Sequence, residues 1–154
     1  METATRTVVT FQTSKFNTTE SRDYFINPGC FGDDCCKWLI AELEADGVKC
    51  DATPGQEDFG WYFNFEDALG KYCVVGGYRP DDYDENVPGV WMFWLERQTG
   101  FFSSLFGGRD KEIALSAAEA LHRVLSRSSD IRNVQWHTKK NFDNNIEDAG
   151  APAP

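Results

Sequence analysis

The sequence predicts an α+β fold, a two-layer sandwich in which two helices lie on one face of a mostly antiparallel sheet of about six strands. Three observations support this prediction. An aromatic stretch, residues 59–96, contains three strand-like runs separated by two acidic turns. Amphipathic helical segments come before and after that stretch, and short β-branched runs flank each of them. The predicted order along the chain is therefore β-α-β-β-β-β-α-β.

Size and composition are those of one globular domain. The chain has 154 residues, of which 41% are hydrophobic and 14% aromatic, so it can bury a core. We expect a single domain over residues 1–137 and a flexible polar tail over residues 138–154. Because no apolar run could cross a bilayer and the N-terminus lacks the basic and apolar regions of a signal peptide, the sequence predicts a cytoplasmic protein without membrane contact.

The first third of the chain supplies one strand, one helix and a second, shorter strand. Residues 5–16 are rich in β-branched and aromatic residues, which predicts the first strand. Residues 34–46 predict a helix whose apolar side chains recur at helical spacing. Its apolar stripe consists of Cys36, Leu39, Ile40 and Leu43. Residues 48–52 form a short candidate strand that ends at a turn signal containing Gly55.

Three central strands are predicted over residues 59–66, 71–78 and 90–97. In the first strand alternate residues are aromatic, so one face points into a core and the other carries polar groups. The pair Gly76-Gly77 in the second strand indicates a bulge or a close approach of backbones. The third strand is apolar on both faces, and such a strand is either covered twice or contributes to a binding surface.

The last third of the chain completes the fold. Residues 98–108 are apolar and rich in Gly and Ser, which indicates a loop or a short helical turn. Residues 110–127 have the apolar spacing of a second helix, with His122 expected on its solvated side. The final strand is predicted over residues 132–137.

The formal net charge of −10 is distributed unevenly. Residues 51–96 contain ten acidic and two basic residues, a balance of −8, whereas residues 1–50 carry −3 and residues 97–154 carry +1. Phosphate contacts need clustered Lys and Arg, so the sequence argues against direct nucleic-acid binding. A strongly acidic region instead favours a protein partner with a basic surface and speeds its encounter.

Two groups of acidic residues could bind a metal ion or act in catalysis. Residues 81–86 (DDYDEN) alternate like calcium ligands, but Val87 and Phe93 occupy the positions where an EF-hand needs glycine and glutamate. A looser calcium site, a loop that faces a partner and a solvated turn remain open, and we predict no metal or other cofactor. The pairs at 57–58 and 66–67 could act as acid and base in glycoside cleavage if they face each other across a cleft.

The five cysteines include no CxxC pair, so neither a disulfide framework nor a zinc site is predicted. A thiol near the start of a helix can be nucleophilic, which makes Cys30 a weak catalytic candidate with His137 as its base. Asp33 and Asp34 would oppose thiolate formation there. The glycine pairs match no nucleotide-binding motif.

The favoured hypothesis is a small acidic cytoplasmic protein that binds and inhibits another protein, as toxin-immunity and phage anti-defence proteins do. The alternatives are a small-molecule or peptide sensor, a cysteine- or carboxylate-dependent hydrolase, and a homodimer formed through the apolar sheet face. Whether the chain is an enzyme stays open, with a binding role favoured. The predicted contact residues are Tyr62, Glu66, Asp67, Tyr78, Asp81, Asp82, Tyr83, Asp84, Glu85, Trp91 and Trp94.

Overall fold

The computed structural model describes residues 5–58, 60–81, 83–84, 86–97, 113–143 and 150–154. Within these residues the chain has a mixed α+β fold, with an open antiparallel sheet of seven strands and three helices. The elements are β1 (Val8–Gln12), α1 (Asp33–Ala45), β2 (Lys49–Cys50), β3 (Gly55–Glu57), β4 (Gly60–Asp67), β5 (Gly70–Arg79), β6 (Val90–Arg97), α2 (Leu115–Arg127), β7 (Arg132–His137) and α3 (Lys139–Asp143). The predicted fold class is confirmed.

The sheet has the strand order β2-β4-β5-β6-β1-β7, and β3 also pairs with β4. It has one strand more than predicted, because β3 follows the turn signal at Gly55 and pairs with the first half of β4. The short β2 pairs with the second half of β4, so two short strands share one edge of it. Residues 98–112, which include the predicted loop and the predicted start of the second helix, lie outside the described residues.

One hydrophobic core joins alternate residues of the sheet to both long helices. In β6, Trp91, Phe93 and Leu95 are buried in this core, whereas Met92 and Trp94 point to the other face of the strand. From α1 come the four residues of the predicted apolar stripe. From α2 come Ala117, Ala118, Ala120, Leu121, Val124 and Leu125. The two-residue period of the central strands is confirmed, and the placement of both helices on one face stays a prediction.

A contact at the surface also joins the C-terminal ends of α1 and α2. Arg127 near the end of α2 donates to Asp46 Oδ1 at 2.7 Å and to Glu42 Oε2 at 2.8 Å, both at the end of α1. A further bond from Arg127 reaches the Glu42 carbonyl oxygen at 3.2 Å. A guanidinium presents several N–H groups in a fixed plane, so this one side chain adds a multiple polar contact to the apolar packing of α2 and α1 in the core.

Gly76 marks the closest approach of backbones in the sheet. A Cβ atom at this position would lie 2.0 Å from the Met92 carbonyl oxygen and 2.7 Å from the Phe93 Cα atom. At Gly77 a Cβ atom would lie 2.5 Å from the Phe31 carbonyl oxygen. The pairing of β5 with β6 runs without a register shift from Tyr72 to Arg79, so the glycine pair permits close approach rather than a bulge.

Parts of the predicted tail contact the domain. Lys139–Asp143 forms the short helix α3. Ala151 pairs with Trp136 through two backbone hydrogen bonds of 2.7 and 2.8 Å, which adds a bridge to the outer edge of β7. Residues 144–149 lie outside the described residues, and the flexibility of the tail stays a prediction.

His122 and Trp136 form a hydrogen bond between α2 and β7. Trp136 is fully buried and its Nε1–H donates to His122 Nδ1 at 3.0 Å. The prediction that His122 lies on the solvated side of its helix is wrong, since the side chain is half-buried and turned toward the sheet. Burial lowers the pKa of His122, and the nearby Glu119 charge acts in the opposite direction.

Replacing Gly76 by alanine should destabilise the fold by about 3 kcal/mol or more, because the new methyl group has to displace the backbone of β6. Gly29→Ala is the matched control, since its Cβ would meet only the Asn27 side chain at 3.8 Å. Urea denaturation of both variants measures the difference. Equal stability of the two would show that the close approach is not needed.

Acidification should destabilise the protein through His122. Because the folded state lowers the pKa of His122, the unfolded chain takes up the proton first, and stability is lost as the pH falls from above 6.5 through the lowered pKa. Denaturation at several pH values should show that His122→Gln loses less stability between about pH 7.5 and 5.5 than the parent chain. Parallel curves for His122→Gln and the parent chain would contradict the prediction.

Candidate functional site

The predicted contact residues do not form one patch. The described acidic residues of the loop between β5 and β6 lie at one end of the sheet, and Glu66 and Asp67 lie at the other. Since β5 has ten residues, these ends are about 30 Å apart. Asp82 and Glu85 are outside the described residues. The predicted contact residues therefore belong to two separate groups, one at each end of the sheet.

At the first end, a loop connects Arg79 of β5 with Val90 of β6. Asp81 Oδ1 accepts hydrogen bonds from the backbone N–H groups of Tyr83 and Asp84, each at 2.9 Å. Asp84 Oδ1 accepts from the Asn86 N–H at 2.9 Å. Aspartate side chains that bond the backbone two or three residues ahead fix such turns. We call Asp81, Tyr83 and Asp84 the acidic tip.

Tyr83 is 99% exposed, more than any other large hydrophobic side chain that the structure describes. Val87 and Val90 in the same loop region are exposed as well. The charged oxygens of Asp81 and Asp84 are close to Tyr83 in sequence, and their hydrogen bonds keep them at the loop backbone. The acidic tip therefore presents an exposed aromatic ring between two aspartates whose side chains accept backbone hydrogen bonds.

Tyr78 and Trp91 support this loop from inside. The Tyr78 hydroxyl accepts a hydrogen bond from the Gly89 N–H at 3.0 Å, and its ring lies 5.3 Å from the Trp91 ring. Trp91 is fully buried. The prediction that Trp91 belongs to a contact surface is therefore corrected, because its side chain faces the core on the two-residue period of β6. Of the two strand tryptophans, Trp94 is the one that lies on the other face.

At the second end, Glu66 and Asp67 have local partners. Glu66 forms ion pairs with Lys49 at 3.1 Å and Lys71 at 3.9 Å. Asp67 Oδ1 accepts from the N–H groups of Leu69 and Gly70, and Oδ2 accepts from the Ser116 hydroxyl at 2.8 Å. These contacts fix the β4–β5 turn and connect it to α2. Tyr62, on the same strand, is half-buried and its ring lies over Gly55.

The paired carboxylates do not face each other across a cleft. Residues 57–58 precede β4 and residues 66–67 end it, so the eight residues of the strand separate the pairs by about 25 Å. Acid and base in glycoside cleavage stand about 5 to 10 Å apart. This geometry argues against a carboxylate-dependent hydrolase. Among the described residues no group of three or more His, Cys, Asp or Glu side chains is placed to hold a metal ion.

Cys30 and His137 lie in different parts of the fold. The Cys30 carbonyl accepts a hydrogen bond from Trp61 Nε1 on β4, and the Cys30 side chain packs against the core. His137 is on β7, four strands away in the sheet order, which is about 19 Å. It is hydrogen-bonded to Thr10 Oγ1 at 3.1 Å, so it has a partner of its own. The two residues cannot act as nucleophile and base.

Four of the five thiols also lack the electrostatics of a nucleophile. Burial raises the pKa of Cys30, although the Arg79 charge acts in the opposite direction. Burial raises the pKa of Cys50 to about 11 and the pKa values of Cys35 and Cys36 well above the ordinary value. Reactive cysteines have lowered pKa values, so the described geometry gives no support to thiol catalysis.

A pocket that the sequence did not reveal lies on the face of β6 opposite the core. It has a volume of about 250 Å³ and is lined by Val8, Trp94, Glu96, Lys139 and Phe142. A more polar pocket of about 200 Å³ lies at the β2–β4 edge around Lys49, Glu66 and Lys71. The apolar character of Val8 and Trp94 was visible in the sequence, but the approach of α3 across more than 40 residues of chain was not.

Thiol alkylation tests whether the pKa values of the cysteine thiols are raised. Iodoacetamide at neutral pH should label Cys30 and Cys50 more slowly than a free cysteine, because their raised pKa values leave little thiolate. The buried Cys35 and Cys36 should react only after unfolding. Peptide mass spectrometry gives the rate at each site, with the denatured chain as reference. Rapid labelling of Cys30 in the folded chain would restore it as a candidate nucleophile.

Comparison of the chain with protein-family models, with curated proteins and with solved structures finds no match. No helix among the described ranges is long and apolar enough to cross a membrane. Function is therefore inferred from the geometry and charge of two places in this fold, the acidic tip and the pocket beside Trp94.

Proposed function

We propose that the chain is a small acidic protein-binding module that inhibits another protein, of the toxin-immunity or phage anti-defence type, and that the acidic tip makes the central contact. One observation carries the proposal: Tyr83 is 99% exposed between Asp81 and Asp84, whose side chains accept hydrogen bonds from the backbone N–H groups of neighbouring residues. Exposed tyrosines are typical anchors of protein interfaces.

The hydrogen bonds around Tyr83 support binding energetically. Ordering a segment on binding costs free energy, and the bonds that Asp81 and Asp84 accept from the backbone lower this cost for Tyr83. Gly89 extends the same network, since its N–H bonds to the Tyr78 hydroxyl and a Cβ there would lie 2.3 Å from the Arg79 carbonyl oxygen. The free energy gained from Tyr83 contacts is then offset less by the cost of arranging the residues around it.

The charge of the region determines the kind of partner. Residues 51–96 carry −8 of the net charge of −10, and the acidic tip lies within them. Arg and Lys side chains of a partner can approach the carboxylates and place a cation over the Tyr83 ring. Proteins that act on nucleic acid have such basic surfaces. A small acidic protein seated on one of them would block it, which is how the proposed inhibition would work.

The hydrolase alternative receives no support from the two carboxylate pairs, which are far apart, or from the four thiols at Cys30, Cys35, Cys36 and Cys50, whose pKa values are raised. Homodimer formation through the apolar sheet face stays a prediction. The sensor alternative has one observation in its favour, the pocket beside Trp94, and that pocket would work independently of the acidic tip.

The test begins with an affinity-tagged chain in a lysate of the source organism, from which the partner is identified and purified. Tyr83→Ala should weaken binding of the purified partner by about 10- to 100-fold, the loss typical of an interface anchor. Leu69→Ala is the matched control, because Leu69 is also exposed but lies at the opposite end of β5. Calorimetry gives both dissociation constants. If Leu69→Ala weakens binding as much as Tyr83→Ala, the acidic tip is not the contact.

Charge is tested by replacing Asp81 and Asp84 together with asparagine, which keeps the oxygen that accepts the backbone hydrogen bonds and removes two charges. We expect association with the partner to slow by about tenfold at low salt, and the difference to shrink as salt rises. The control pair Glu44→Gln and Asp51→Asn removes two charges elsewhere and should change the rate much less. An association rate that does not depend on salt would contradict the electrostatic part of the proposal.

A further inference from the structure

The outer edge of β7 is covered by residues 150–154, a segment that we call the edge cap. The Trp136 N–H donates to the Ala151 carbonyl oxygen at 2.7 Å, and the Ala151 N–H donates to the Trp136 carbonyl oxygen at 2.8 Å. The two residues form one antiparallel bridge, which is the contact that a strand makes with its neighbour in a sheet. Without the edge cap β7 would be the last strand on this side, since the strand order ends with β1-β7.

The composition of the edge cap ends the sheet. Pro152 and Pro154 have no backbone N–H, so neither residue can donate a hydrogen bond to a further strand. Ala151 already directs its N–H and its carbonyl oxygen to Trp136. An exposed strand edge is a template for pairing with another chain, and proteins protect such edges with proline or with a covering segment. The edge cap combines both kinds of protection.

The edge beneath the cap is complementary to the same edge of a second copy. Gln135 pairs with Thr10 of β1, so by strand alternation the backbone groups of Val134 and Trp136 face the outer edge. If two β7 strands pair antiparallel about Gln135, Trp136 of each copy lies opposite Val134 of the other. Trp136 is fully buried and Val134 packs against the core, so this pairing joins an aromatic to a β-branched side chain on the core face. Such cross-strand pairs stabilise sheets.

The distribution of charge also permits a second copy at this edge. Residues 51–96, which carry −8, contain the strands β3 to β6, whereas residues 97–154, which carry +1, contain β7. In the strand order β1 separates β7 from β6, and β4 and β5 lie farther away. Two copies joined at β7 therefore keep their acidic regions apart, which limits the repulsion between them.

We propose that the outer edge of β7 is a self-association surface that the edge cap keeps closed. While the cap is bonded to Trp136, β7 of a second copy is excluded. Once the cap is displaced, two copies pair through β7 about Gln135, and their sheets continue into each other. Because the cap belongs to the same chain, a second copy competes with an effective concentration on the order of mM. The open edge is short, since Asn133 has a φ of 55° and the register with β1 shifts there, so the paired state is a weak dimer.

Two different substitutions in the full chain displace the edge cap. Ala151→Pro removes the N–H that bonds to the Trp136 carbonyl oxygen. Gly150→Val places a Cβ atom 2.7 Å from His137 Cε1 and 3.0 Å from the Trp136 carbonyl oxygen, at a φ of 75° that β-branched residues rarely adopt. Ala153→Pro is the matched control, because it adds the same residue beyond the bridge and leaves the Ala151 N–H in place.

Sedimentation of the four proteins at about 100 µM compares their self-association. Both displacing variants should have an apparent dimer dissociation constant at least about tenfold lower than the parent chain, because the competing cap is gone. The control variant should keep the value of the parent chain. Circular dichroism establishes that each variant is folded, and if one of the two displacing variants is unfolded, the other decides.

A cysteine introduced at position 135 tests the register of the proposed dimer. Because the Gln135 backbone groups face β1, residues 135 of the two copies form a non-hydrogen-bonded pair, whose Cα atoms lie about 4.5 Å apart. That separation is within the range of a disulfide. Gln135→Cys combined with Ala151→Pro should therefore cross-link under mild oxidation, as peptide mass spectrometry can show. Leu69→Cys combined with Ala151→Pro is the control and should not cross-link, since Leu69 is exposed at the β4–β5 turn.

Three results would overturn the proposal: folded displacing variants that associate no more than the parent chain, an Ala153→Pro variant that associates as strongly as they do, or equal cross-linking at positions 69 and 135. The test is independent of the acidic tip, because Tyr83→Ala leaves β7 and the edge cap unchanged. Partner binding and self-association can therefore fail or succeed separately.

Discussion

The close approach of three backbone segments at Gly76 and Gly77 is the constraint on which the rest of this structure depends. Without a side chain at Gly76, the β6 backbone can lie where a Cβ atom would be 2.0 Å from the Met92 carbonyl oxygen. Without one at Gly77, the Phe31 carbonyl can reach β5, where it accepts a hydrogen bond from the Tyr78 N–H at 3.1 Å. The loop before α1 is thereby fixed to the centre of the sheet, and α1 starts from a defined point.

The same constraint positions the acidic tip. Tyr78 directly follows the glycine pair, and its hydroxyl holds the Gly89 N–H at the far side of the loop. Its ring packs against Trp91, which is buried because its side chain faces the core. The exposed Tyr83 therefore stands on a loop whose two ends are both tied to the core. An unfavourable change at Gly76 would affect the fold first and the acidic tip as a consequence.

Much of the central sheet could be predicted from the sequence, because the two-residue alternation of β4 and β6 is a local property of the chain. Contacts between residues that are far apart in the sequence could not be predicted. Gly55 has the pattern of a turn residue, but the structure shows that its missing side chain makes room for the Tyr62 ring, whose Cζ atom would lie 2.4 Å from a Cβ atom there. That approach allows β3 to pair with β4. The opposite faces of Trp91 and Trp94 followed from their spacing, but which face lay in the core depended on the helices.

The candidate sites show the same limit, because their composition could be read from the sequence and their contacts could not. Acidic composition predicted a working surface around residues 81–86, and there the structure shows hydrogen bonds from backbone N–H groups to the side chains of Asp81 and Asp84. The pair Glu66 and Asp67 has the same composition but bonds to Lys49, Lys71 and Ser116. Charge in a sequence does not distinguish a carboxylate that faces a partner from one that stabilises a turn. Only the position of its hydrogen-bond donors does.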